Sequence, residues 1–279
     1  YPAGKPGHIL FDIGNRQGES GAIKDAYVTY TSDGRIEGWV ITLPEYVKKY
    51  QPGQTVPLYF SAQVDATPVA YGVFNGKDVK ASVRETKGVG SGVYLTFASD
   101  KPLTVTAKVG LSYTSVENAR INLEKEAAGR SFDEVKGASH KTWEDYLSRI
   151  RVESSKKDDL VKFYTGLYHA LLGRGLANDV NGAFPKNDGT VGQMPMKDGK
   201  PVHNVYNTDA AWGAQWNLSQ LWALAYPEYL SDYISSHLTV YQDAGWLADG
   251  LANCRYVSGV GTNLLSTIIA GAYQCGIRD

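Results

Sequence analysis

The densest gathering of aromatic and polar side chains runs from Tyr206 to Asn217, through Asn207, Thr208, Asp209, Trp212, Gln215 and Trp216. Trp212 and Trp216 are four residues apart, so a helix places both on one face, and Asp209 stands where it would cap the helix start. Indole faces beside a carboxylate and amides suit a sugar, because rings stack on the pyranose and polar groups bond its hydroxyls. The same residues also read as a core seam with an N-cap, and both readings stay open. A second gathering, Trp246-Leu247-Ala248-Asp249-Gly250, joins an indole to a carboxylate in a connection between helices. With His203 from the long loop before the first cluster, the candidates for substrate contact are Asp209, Trp212, Gln215, Trp246, Asp249 and His203.

Other chemistries find no support. There is no Walker-type phosphate loop, no Gly-x-Ser-x-Gly elbow and no His-Glu-x-x-His pair. Gly88-Val89-Gly90-Ser91-Gly92 falls between strand-like runs and reads as a hairpin loop. The five histidines, His8, His140, His169, His203 and His237, are dispersed, with none paired at ligand spacing. His169 and His237 lie on amphipathic stretches and read as packed imidazoles. Cys254 and Cys275 are the only cysteines, too few for a disulfide scaffold or a thiolate zinc site.

The elements that must position these residues change character along the chain. Runs at 8–13, 26–30, 36–42, 56–64, 69–74, 79–85, 93–98 and 103–113 read as strands, with no helical segment between them. Ser32-Asp33-Gly34 and Asn75-Gly76 tolerate positive φ and predict two hairpins. Eight short runs at even spacing argue for an antiparallel sandwich. From Phe132 onward the period becomes 3.6. Val135, Trp143, Tyr146, Leu147 and Ile150 form one stripe, and Leu160, Phe163, Tyr164, Leu167 and Leu171 a second. Further helices are expected over 209–224, 228–241 and 263–275. Residues 178–207 form a long polar stretch rich in turn signals, of a length that is usually functional. Strands followed by helices predict two domains with a boundary near 115–135.

The 279 residues carry 28 Lys plus Arg against 29 Asp plus Glu, with no block of like charge, so nucleic acid and anionic membranes are poor partners. The longest apolar stretch, 264–273, is far short of the roughly 20 residues of a membrane span. Residues 1–5 show no signal-peptide pattern. The rings are mostly polar-handled, with 19 Tyr and 6 Trp against 7 Phe, as suits wet clefts and half-exposed faces.

The order of several segments resembles glycoside hydrolase family 92, the calcium-dependent exo-acting α-mannosidases. Residues 108–124 resemble the family's domain junction. Residues 163–172, Asp179-Val180-Asn181-Gly182, Trp212 in its helix, 241–247 and 270–277 then follow in family order. The resemblance covers nearly the whole chain, most weakly the first 50 residues. It implies a multidomain β-then-α fold: an antiparallel β-sandwich over 1–115, a linker over 116–135, and the first helices of an incomplete (α/α)6 toroid over 136–279. It also implies an exo-α-1,2-mannosidase acting on mannose-containing glycans, secreted or periplasmic. The implied mechanism is inverting hydrolysis, with two carboxyl groups about 6.5–9.5 Å apart. Calcium is the implied cofactor, a hard cation that takes sugar hydroxyls among its oxygen ligands.

Two departures from the family pattern bear on the site. The usual Trp-Asp-Thr is Trp212-Gly213-Ala214 here, and the Pro-x-Trp expected after Leu247 is Ala248-Asp249-Gly250. Family members are much longer. The resemblance therefore places the acid, the base and the calcium ligands beyond Asp279, and no catalytic or metal residue is assigned within the chain. A ring cut there is expected to expose part of the Leu264, Leu265, Ile268 and Ile269 stripe, covered by self-association or by a C-terminal companion fragment. The alternatives are a glycosidase of altered specificity, suggested by Gly213, and a non-catalytic glycan-binding module.

Overall fold

The computed structural model describes residues 1–16, 18, 21–172, 175–252, 254–257 and 263–278, with the backbone alone for Thr208 and Asp209. The chain divides into two units. The first comprises Tyr1–Gly129 with Asp179–Phe184 and Asp198–Lys200, and the second Arg130–Asn178, Pro185–Lys197 and Pro201–Asp279.

In the first unit the alternating runs become β1 (Gly7–Asp12), β2 (Ala22–Tyr30), β3 (Ile36–Leu43), β4 (Val56–Val64), β5 (Ala70–Asn75), β6 (Asp78–Ala81), β7 (Glu85–Lys87), β8 (Ser91–Phe97) and β9 (Ala107–Ser112). They form two antiparallel sheets, ordered β1-β8-β5-β6 and β7-β2-β3-β4-β9. Val28, Ile36, Phe60 and Ala62 of one sheet meet Val73, Val93, Leu95 and Phe97 of the other, the buried core of a sandwich. Both expected hairpins form: Gly34 has φ 86° between β2 and β3, and Gly76 has φ 58° between β5 and β6.

Three expectations for this unit are corrected. A helix, α1 (Glu45–Tyr50), interrupts the strands, anchored by buried Val47; six residues are too few to show a 3.6 period. The run 79–85 is two strands in different sheets, broken where Ser82 takes φ 58°. The glycine-rich stretch 88–92 closes no hairpin, because β7 pairs with β2 while β8 pairs with β1 and β5; it carries the chain from one sheet to the other.

After β9, Ser115 caps α2 (Val116–Leu123) by accepting from the Asn118 N–H at 3.0 Å. The helix lies on β9 at a glycine. A Cβ at Gly110 would stand 2.2 Å from the Ala119 carbonyl oxygen, so only glycine lets the backbones approach this closely. Asp179, 1% exposed, returns to this junction. Its carboxylate accepts from Ser112 Oγ at 3.0 Å, Thr114 Oγ1 at 2.5 Å and Asn122 Nδ2 at 2.7 Å. Asn181 adds a bond to Asn118 at 2.8 Å. Two of the segments that resemble the family are thus one buried hydrogen-bonded knot.

The second unit is helical: α3 (Phe132–Leu147), α4 (Lys157–Leu171), α5 (Ala211–Gln215), α6 (Leu218–Ala225), α7 (Pro227–Ala244) and α8 (Leu264–Gln274), with short strands between α4 and α5 and between α7 and α8. Its core gathers Leu167, Trp222, Tyr226, Leu230, Tyr233, Leu265 and Ile268. Tyr226 stacks on Tyr146 with ring centroids 5.9 Å apart, and the Arg149 guanidinium lies over both rings. His237 is buried against Tyr233, as its amphipathic setting predicts, whereas His169, expected to pack in the same way, is exposed on α4.

The helix expected over 209–224 is broken into α5 and α6 at Asn217, whose φ of −159° is not helical. Of the stripe expected to lie partly open on α8, Leu265 and Ile268 are buried, because α8 packs on α5, α6 and α7, while Leu264 and Ile269 are half-buried. No described helix is long and apolar enough to cross a membrane.

Helix α3 starts in a capping box. Ser131 Oγ accepts from the Glu134 N–H at 3.2 Å while Glu134 Oε2 accepts from the Ser131 N–H at 2.6 Å. Ser131→Ala is expected to lower stability by about 1 kcal/mol. A shift of the urea midpoint at unchanged slope would show it.

Candidate functional site

Residues 218–245 separate the two aromatic and polar clusters, and a small antiparallel ribbon joins them. The strand Thr208–Ala210 pairs with Gly250–Ala252, matching Thr208 with Ala252, Asp209 with Leu251 and Ala210 with Gly250. Gly250–Ala252 pairs in turn with Arg255–Tyr256. Beyond the ladder, the Ala211 N–H donates to the Asp249 carbonyl at 3.0 Å and the Cys254 N–H to the Asn207 carbonyl at 2.7 Å. The ribbon therefore sets the start of α5, with Trp212 one residue on, beside Asp249.

The indoles do not fill the core. Trp212 is 51% exposed, Trp216 69% and Trp246 69%. Trp212 and Trp216 stand edge to face with centroids 6.2 Å apart, as their four-residue spacing predicts. An exposed edge-to-face pair offers one open ring face to a ligand at little entropic cost, because each ring has only two side-chain torsions.

The other candidates are placed differently. Asp209 is a strand residue and not a helix cap, since α5 begins after Ala210; its side chain lies outside the described residues. Asp249 is buried at the ribbon's edge. Gln215 lines a groove of about 150 Å³ between α5, α6 and α8, with Ser219, Gln220, Thr267, Ile268 and Cys275, and its Oε1 is buried without a hydrogen-bond partner. His203 is half-buried, with Nδ1 donating to the Asn204 carbonyl at 2.9 Å and Nε2 3.3 Å from Thr239 Oγ1. The structure thus brings Asp209, Trp212 and Asp249 to one ribbon, and leaves Gln215 in a separate groove.

Two neighbours titrate far from their ordinary ranges. Burial pushes the Cys254 thiol up to about 12, which leaves it a neutral, unreactive filler. Burial, helped by Tyr229 and Asp232, raises the Tyr206 phenol as well. Cys275 is exposed and Cys254 buried, and both are free thiols. Gly213, where the resemblance expects aspartate, faces open space: a Cβ there meets nothing within 4 Å. Among the described residues, no three His, Cys, Asp or Glu side chains converge to hold a metal ion.

Trp216 stands exposed beside Trp212, where its four-residue spacing puts it. The burial of Arg255 has no sequence signal, since a buried arginine and a surface one look alike in sequence.

The glycosyl hydrolase family 92 catalytic domain matches residues 118–279, and the glycosyl hydrolase family 92 N-terminal domain matches residues 1–112. An uncharacterized secreted glycosidase of Arthroderma benhamiae is 26% identical over 196 residues, which cover 68% of this chain and 20% of that protein. A family GH92 α-mannosidase of Bacteroides thetaiotaomicron, solved with mannoimidazole, superposes with a TM-score of 0.83 at 18% identity, over 100% of this chain and 36% of that one. A family GH92 inverting mannosidase of the same organism gives 0.80 at 19% identity, over 99% and 35%. The likeness to the solved structures is one of fold. The chain spans about a fifth of the secreted relative and about a third of the solved ones.

Proposed function

The chain belongs to glycosyl hydrolase family 92, and from that membership we propose that it serves an exo-acting α-1,2-mannosidase that trims mannose-containing glycans with inversion. The observation that carries this reading is the ribbon that unites Trp212 and Asp249 beside the pairing position of Asp209. Exposed indoles suit the apolar face of a pyranose. In an inverting pair, one carboxylic acid protonates the glycosidic oxygen while a carboxylate about 6.5–9.5 Å away activates water. We assign neither role to a described residue; this chain's part is to hold and orient the sugar, in the early helices of an (α/α)6 toroid.

Calcium assistance belongs to the same proposal. The described residues do not supply a ligand cluster, so no step here is routed through the ion. Secretion is proposed as well, in keeping with the relative described as secreted.

Hydrolysis of an aryl α-mannoside tests the reading. The 279-residue chain is expected to bind mannosides without turnover, while the full-length gene product releases β-mannose first and loses activity to a calcium chelator. Calcium-dependent turnover by the isolated chain would overturn the placement of the acid and base. Binding with no hydrolysis by either protein would favour a glycan-binding module.

A second reading is favoured by Gly213. A Cβ there meets nothing within 4 Å, so close backbone approach does not dictate the glycine, as in a glycosidase of altered specificity. Gly213→Asp is expected to raise mannose affinity if that carboxylate alone distinguishes the site.

A further inference from the structure

Three segments distant in sequence meet beside the ribbon and exposed indoles, the proposed sugar rim: the turn 186–190, the C-terminal end of α7, and the strand Arg255–Tyr256. Arg255 is 4% exposed, and its Nη1 donates to the carbonyls of Lys186 at 3.2 Å and Asn187 at 2.5 Å. Asp243 accepts from Lys186 Nζ at 2.9 Å and from the Asn187 N–H. Asn187 Oδ1 accepts from the Tyr256 N–H at 2.8 Å. The N–H, carbonyl and side-chain oxygen of Asn187 are thus all engaged. The turn itself is closed by the Lys186 N–H on the Thr190 carbonyl at 2.9 Å.

The position of these bonds along the chain gives them their meaning. Asp243 stands two residues before Gly245, whose φ of 76° ends α7 and releases Trp246. Arg255 lies on the other stem, three residues past Ala252. The segment that carries Trp246 and Asp249 is therefore tied at both ends to one hydrogen-bonded turn. A loop with fixed stems loses less conformational freedom when a ligand orders it, and it holds its side chains in place beforehand.

Arginine suits the role. One terminal nitrogen, Nη1, carries two N–H groups to two neighbouring carbonyls, and the planar group fixes their direction as a freely rotating ammonium does not. A buried guanidinium is costly to desolvate, so its retention here needs a reason beyond filling space.

We propose that Asn187, Asp243 and Arg255 are positioning residues that hold the 246–252 segment for a bound mannoside. The role rests on the sugar-binding reading above. Arg255→Lys and Asp243→Asn loosen one stem each, and Asp188→Ala, on the same turn but bonded to Thr190, serves as the control. In the 279-residue chain, both stem variants are expected to speed amide exchange across 246–252 and to weaken α-1,2-mannobiose binding, each by about tenfold. Amides of α7 and α8 should keep their rates, and the control should match the unsubstituted chain in both measurements.

Unchanged exchange in both stem variants, or faster exchange with unchanged affinity, would overturn the proposal. Unfolding of one variant leaves the other stem to be read; unfolding of both would mark the staple as part of the fold alone and overturn the role. Failure of the unsubstituted chain to bind mannobiose is a separate result, which sinks the sugar-rim reading and this role with it.

Discussion

Asp179→Ala is expected to lower the stability of the chain by about 3–5 kcal/mol, the cost of stripping a buried polar network of its central acceptor. The carboxylate takes three donors, Ser112 Oγ, Thr114 Oγ1 and Asn122 Nδ2, from the end of β9, the loop after it and α2. Some of the loss is recoverable. The Ser112 and Thr114 hydroxyls are already 3.0 Å apart, and Asn122 Nδ2 also reaches the Leu111 carbonyl at 2.7 Å. The remaining donors are left where water does not replace the acceptor. Against an ordinary domain stability of about 5–15 kcal/mol, this is a large fraction. Asp179→Asn keeps one acceptor oxygen but turns an amide N–H₂ toward donors, so it should fall between the two. Guanidinium unfolding measures all three; a loss under about 1 kcal/mol for the alanine variant would show that the knot is not a stability element.

That knot marks a limit of what the sequence discloses. Asp179-Val180-Asn181-Gly182 was visible as a family-like string, yet nothing local says that residue 179 returns to residues 112, 114 and 122, between 57 and 67 positions away. The sandwich was legible because its strands are long enough to alternate and its turns carry Gly34 and Gly76 at positive φ. Helix α1 and the ribbon strands were not, because six and three residues carry too little periodicity to separate from loop. Asp209 shows the consequence. A carboxylate just before an apolar helical stripe reads as a cap, but long-range pairing with Leu251 claims its backbone for a strand. The rim was therefore legible as composition, and its assembly was not. Half of the α8 stripe is covered for a related reason: Leu265 and Ile268 find α5, α6 and α7 within this chain, and Leu264 and Ile269 stay half-buried.

Loss of the guanidinium at position 120 should cost somewhat less and depend on pH in a direction the geometry dictates. Glu37, with a side chain 7% exposed, accepts from Arg120 at 2.9 and 2.7 Å and from Ser61 at 2.8 Å. Burial alone would raise the Glu37 carboxyl. The bonds from Arg120 and Ser61, with the charges of Arg120 and Arg35, outweigh it and hold the group below its ordinary range. Arg120→Met strands the carboxylate. A fully buried broken pair costs about 3–5 kcal/mol, and because Arg120 is 36% exposed the expected loss at pH 7 is about 2–3 kcal/mol.

With its pKa depressed in the folded chain, Glu37 contributes stability that is present above its unfolded value, about 4.3, and is lost as pH falls through the lower folded value. In the variant, burial without the guanidinium leaves the carboxyl above its unfolded value. The folded variant then takes up a proton first and gains stability as pH falls from neutral. The gap between the two proteins should therefore be widest near pH 7 and narrow toward pH 4. Adding Glu37→Gln to Arg120→Met should recover part of the loss at pH 7 and little at pH 4. A gap that does not change with pH would mean that Arg120 stabilises the junction by packing its side chain, and the ion pair would have to be dropped from the account.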